Sequence, residues 1–85
     1  MRSFTYTIQD EAGIHARPAG MLVKKMQVCE SEVYLQCGAK TVDCKKLFAL
    51  MGLAVKKGEP ITITASGPDA DQAISTAQEF LQNNL

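Results

Sequence analysis

Eighty-five residues allow one small domain with a single core and leave no room for a deep cleft between two lobes. Nine Lys and Arg balance nine Asp and Glu, so the net charge asks for neither nucleic acid nor an anionic membrane, and any electrostatic site has to be local. The start, MRSFTYTIQDE, lacks the apolar stretch of a signal peptide, and the longest apolar run, LFALMGLAV, falls short of the ~20 residues that span a bilayer, so a soluble cytoplasmic chain without membrane insertion is expected.

Phe4, Tyr6 and Ile8 alternate with Thr5 and Thr7, the period-two pattern of a half-buried strand. DEAG follows as a turn, in which Gly13 is best able to take an unusual backbone angle. Ala19, Leu22, Val23 and Met26 recur at i, i+3, i+4 and i+7 with Lys24 and Lys25 off that stripe, which predicts an amphipathic helix over 16–28. EVYLQC puts Val33, Leu35 and Cys37 on one face, GAK turns the chain and TVDC returns with Val42 and Cys44, a hairpin that sets Cys37 near Val42. That register argues against a disulfide between Cys37 and Cys44. With Cys29 the chain has three cysteines and no CxxC, the usage of buried, reduced thiols.

KKLFALMGLAV reads as a short helix with Leu47, Leu50, Met51 and Ala54 on one side and Phe48 on another, where exposure is expected. KKGEP breaks the chain, and ITITAS supplies a strand with Ile61, Ile63 and Ala65 facing inward. Asp69, followed three residues later by Gln72, resembles a capping box and opens a helix over 70–82, whose stripe is Ala70, Ala73, Ile74, Ala77, Phe80 and Leu81. The order β-α-β-β-α-β-α, with every strand apolar on one face, describes an α+β fold: an antiparallel sheet covered by helices on one side and wet on the other.

The chain's only histidine lies in GIHARPAG, where a helix N-cap would sit, and Pro18 is tolerated in the first turn, whose N–H groups have no intrahelical partner. The amides of Ala16 and Arg17 would then face outward beside the imidazole, at the positive end of a helix dipole that favours an anion. Arg17 adds a planar fork suited to phosphate oxygens. One ring nitrogen, backbone donors and an arginine suffice to receive a phosphoryl group, a transfer governed by positioning and charge, with no metal, cofactor or second acid required. By spacing alone this reading stands level with a plainer one, in which His15 caps a helix and Arg17 is a solvated charge. The other candidates carry less: Asp69 and Asp71 do not face each other, Glu30 and Glu32 read as a solvated strand entry, and zinc clusters, P-loops and G-x-S-x-G motifs are absent.

GIHARPA resembles the active-site signature of the HPr family, the bacterial histidine-containing phosphocarriers of the phosphoenolpyruvate-dependent sugar phosphotransferase system, and KTVDCKKLFALMGLAVKKGEPITITASGPD extends the likeness over the rest of the chain. The resemblance implies an open-faced β-sandwich with strand order 1-4-2-3 and three helices on one face. It implies that His15 takes a phosphoryl group on Nδ1 from phosphorylated enzyme I and passes it to enzyme IIA domains, and that Arg17 steadies the phosphohistidine. It also implies an apolar docking patch of Leu47, Phe48 and Met51, edged by Gly20 and Lys24. Core packing is the plainer reading, preferred for Leu50 and Leu53 and evenly balanced for Leu47 and Met51.

Two positions depart from the family pattern. Relatives under kinase control carry a serine where this chain has Lys46, which places regulation through that site in doubt, and Gly20 stands where many relatives have a side chain. A carrier, not an enzyme with its own turnover, is the leading expectation. It is set against a module that regulates partners by docking alone and against a carrier in a branch unrelated to sugar uptake. A protein that meets successive partners through one face is expected to be a monomer.

Overall fold

The computed structural model describes residues 1–85. Its elements follow the expected order: β1 (Arg2–Thr7), α1 (Ala16–Gln27), β2 (Glu32–Cys37), β3 (Lys40–Asp43), α2 (Leu47–Gly52), β4 (Pro60–Ser66) and α3 (Ala70–Asn84). Every strand pairing is antiparallel, and the sheet runs β1-β4-β2-β3, so β4, the last strand in the chain, fills the gap between β1 and β2. This register lines up Phe4, Ile63, Leu35 and Val42 across the four strands, and the alternation of each strand turns that row toward the helices. α3 covers β1 and β4, α1 packs on α3, and α2 leans on α1 and β3. Ala73, Ala77 and Leu81 of α3 and Ala19, Leu22 and Met26 of α1 are fully buried beneath this cover, as the helical stripes require. The opposite face of the sheet is polar, with the hydroxyls of Thr5 and Thr62 3.2 Å apart across paired strands.

Four local expectations are corrected. Cys37 pairs with Lys40, and Val42 faces Leu35. The hairpin loop is the two residues Gly38 and Ala39, and Gly38, at φ 61°, takes the left-handed angle that a first loop position of this kind needs. Ala54 is not on the face of α2: the helix ends at Gly52, and Ala54 lies beyond it at φ 52°, exposed, as the residue that turns the chain out of the helix. α1 stops at Gln27 with Val28 as its C-cap, and α3 runs two residues past its expected end, to Asn84.

The fourth correction concerns Asp69, which is the N-cap of α3 but makes no side-chain bond to its own helix. Its carboxylate instead accepts from the amides of Glu30 (2.9 Å) and Ser31 (2.8 Å) and from the Ser31 hydroxyl, tying the entry of β2 to the start of α3. Ser31 is fully buried, and Gly67 must pass so close to it that a Cβ there would lie 2.7 Å from the Ser31 Cα. The Ser31 hydroxyl, followed by the two amides, lowers the Asp69 carboxyl to about 2. Because the folded value lies below the unfolded one of about 3.9, the stabilisation is complete above that value and disappears as the pH falls toward the folded value. In urea unfolding, Asp69→Asn is therefore expected to be less stable than wild type at neutral pH, with the gap closing in acid. A gap independent of pH would remove the carboxylate from this account.

Candidate functional site

His15 is the N-cap of α1, with extended backbone angles (φ −116°, ψ 176°) and a carbonyl that accepts the first intrahelical bond, from Ala19 at 2.9 Å. Its side chain makes no capping bond, so the ring is left available, and about half of it is open to solvent. The amides of Ala16 and Arg17 meet no acceptor within the chain, and Pro18, buried in the first turn, has none to satisfy. The helix thus starts where the sequence places it, with two of its first amides unpartnered. The Arg17 guanidinium is exposed and carries no intramolecular ion pair or hydrogen bond, which leaves its donors free.

The ring's approach is fixed by three segments of chain. Gly13 takes φ 68° and lies against the backbone of Val55 and Lys56, while the Ile14 amide donates to the Val55 carbonyl at 3.0 Å. Asp10 closes the turn twice, its carbonyl accepting from Gly13 (2.9 Å) and its Oδ1 from Ala12 (2.8 Å). The amides of Gln9 and Asp10 both donate to the Leu85 carbonyl, which joins this loop to the end of α3. The second oxygen of Asp10, Oδ2, then lies 3.6 Å from His15 Nε2.

Asp10, His15, Arg17, Pro18, Met21 and Asn84 together line an open hollow of about 250 Å³. Three of these, Asp10, Met21 and Asn84, were not among the residues expected from the sequence. The D-x-x-G spacing of Asp10 and Gly13 is an Asx-turn signal that could have pointed to the first. Asn84 reaches the site only because α3 docks back on the opening loop.

The residues expected to form a docking patch differ in exposure. Phe48 is 86% exposed, the one large aromatic left open to solvent to that degree, and Met51 is exposed at the border with half-buried Leu47. Leu50 is fully buried, and Leu53 is half-buried against the core. Gly20 and the exposed Lys24 lie on α1, which packs against α2, and Met21 of the same helix, 42% exposed, lines the hollow. Lys46 is the exposed N-cap of α2 and makes no side-chain cap.

The three thiols are free. Burial, with the charge of Asp43, pushes Cys44 up to about 12, and burial first also raises Cys29 and Cys37, whose neighbours Asp69 and Glu59 add to the effect. None is a ready nucleophile. No group of three His, Cys, Asp or Glu side chains could hold a metal ion, and no helix is long and apolar enough to cross a membrane.

Comparison with known proteins agrees with this geometry. The family described as PTS HPr component phosphorylation site matches residues 2–83. The histidine-containing phosphocarrier protein of a Mycoplasma is similar over 96% of this chain and 93% of its own, with a TM-score of 0.95 and 35% identity. Phosphocarrier protein HPr of Bacillus anthracis follows with a TM-score of 0.88 and 28% identity, covering 95% and 96%. Crh of Bacillus subtilis, a catabolite repression protein crystallised as a domain-swapped dimer, matches at a TM-score of 0.78 and 30% identity over 94% and 92%. The sheet order and helix placement are those of an open-faced sandwich of the phosphocarrier type. The chain belongs to the HPr family of the phosphotransferase system.

Proposed function

We propose that this chain is a single-domain, monomeric, cytoplasmic phosphoryl carrier that takes a phosphoryl group from phosphorylated enzyme I on His15 and passes it to enzyme IIA domains during sugar uptake. The observation that carries the reading is a single histidine whose ring makes no capping bond and is about half open to solvent at a helix start, beside two unpartnered amides and an unpaired arginine. In the transfer, the donor's N–P bond breaks as a new one forms to Nδ1 of His15. Arg17 and the helix start offset the charge on the equatorial oxygens. The chain ends each half-cycle covalently changed, so it is a carrier and not an enzyme in its own right.

Leu47, Phe48 and Met51, with Gly20 and Lys24 at the edge, are the surface proposed to meet both kinds of partner. An open aromatic and pliable thioethers suit a face that docks on more than one shape. Lys46 carries no hydroxyl, and no Ser or Thr lies between Val42 and Val55, so phosphorylation by a kinase at the start of α2 is not open to this chain.

The likeness to Crh keeps a docking regulator as the rival. In a system reconstituted from enzyme I, a sugar-specific enzyme II and phosphoenolpyruvate, sugar phosphorylation is expected to depend on the chain and to vanish with His15→Ala. Equal rates with and without the His15 imidazole would overturn the carrier reading in favour of docking.

A further inference from the structure

We propose that Asp10 is a positioning residue, one that keeps the imidazole proton of His15 on Nε2 so that Nδ1 presents its lone pair to phosphorus. The assignment rests on the carrier reading for its purpose, but on geometry for its substance. The carboxylate is held at several points: its backbone amide donates to the Leu85 carbonyl at 2.8 Å, its carbonyl accepts from Gly13 at 2.9 Å, and its Oδ1 accepts from Ala12 at 2.8 Å. What remains is Oδ2, an acceptor without a hydrogen-bond partner, 3.6 Å from Nε2. An ionised carboxylate can only accept, so the ring nitrogen facing it is favoured as the donor.

The chemistry needs that tautomer twice. A neutral imidazole with its proton on Nδ1 has no lone pair there, and attack through that nitrogen is closed. Once the N–P bond has formed on Nδ1, the ring with its proton still on Nε2 is cationic, and a fixed anion on the Nε2 side stabilises it without touching the phosphoryl oxygens. On the outward transfer the N–P bond breaks with its electron pair returning to Nδ1, and the imidazole leaves neutral because Nε2 has kept its proton. No proton is exchanged in either direction.

Asp10→Asn gives a sharp test. The asparagine oxygen can keep the bond from Ala12 and the turn it closes, which puts the amide nitrogen, a donor, opposite Nε2 and favours the proton on Nδ1. Asp10→Ser keeps a turn-closing oxygen and leaves Nε2 with no protein partner, which separates the tautomer effect from a folding defect. Nitrogen-15 NMR of the ring is unambiguous because the chain has one histidine. Wild type is expected to hold the neutral ring as the Nε2–H form, Asp10→Asn to move it toward Nδ1–H, and Asp10→Ser to lie between. Phosphorylation by phospho-enzyme I should slow ~10-fold or more in Asp10→Asn at an unchanged KM, the loss following the depletion of the reactive tautomer. Identical ring spectra in all three proteins would overturn the proposal, even with a working carrier. The predicted spectral change in a chain that enzyme I cannot phosphorylate would uphold the role of Asp10 and sink the carrier reading alone.

Discussion

Gly13→Ala is expected to destabilise the protein by ~2–4 kcal/mol, the sum of a left-handed backbone angle imposed on a residue with a Cβ and of an overpacked contact. At φ 68° the new Cβ would lie 2.1 Å from the Val55 carbonyl oxygen and 2.8 Å from the Lys56 Cα. Both are backbone atoms, so no side chain can swing aside. The loop has to move, and with it goes the bond from the Ile14 amide to the Val55 carbonyl that holds the residue before His15. Phosphoryl transfer should therefore fall together with stability. Gly20 is the internal control: a Cβ there meets nothing within 4 Å, so Gly20→Ala should stabilise α1 by up to ~1 kcal/mol through helix propensity alone. Urea denaturation of both variants checks the pair. A Gly13→Ala midpoint equal to wild type would mean that the turn before His15 is not built as described.

Arg17→Gln is expected to slow phosphoryl acceptance by ~10²-fold, the scale on which one donor to developing charge is worth when it is lost. The guanidinium has no partner within the chain, so its removal should leave stability within ~0.5 kcal/mol of wild type. Rapid-quench kinetics with phospho-enzyme I measure the first quantity and thermal unfolding the second. A large loss of stability with unchanged kinetics would make Arg17 a structural residue and empty the proposed phosphate site of its cation.

These two residues also show where sequence reasoning reaches and where it stops. His15, Arg17 and Pro18 are readable because a helix start is a local event, set by a few consecutive residues and their missing N–H partners. The element order is readable for the same reason, since each stripe and alternation declares itself over four to fifteen residues. The placement of β4 between β1 and β2 is different: it depends on which edges meet in space, and only the family resemblance carried it in advance.

Local reading failed where tertiary partners took over a residue with a familiar local role. Asp69 stands at a helix start but turns its carboxylate to Glu30 and Ser31, because two amides and a buried hydroxyl 38 and 39 residues away outcompete its own first turn. Asp10 could be seen as a turn residue, yet its approach to Nε2 follows from Leu85 gripping the loop from the far end of the chain. The Cys37 register missed by two residues because the turn closes on Gly38 and Ala39 alone, leaving Lys40 to pair.

The most direct measurement is the intact mass of the protein after incubation with enzyme I, magnesium and phosphoenolpyruvate, before and after brief acid treatment, with His15→Ala alongside. One phosphate that is lost in acid and absent from the variant is the predicted result. A folded protein that gains no phosphate, from an enzyme I shown to load another acceptor, would contradict the account.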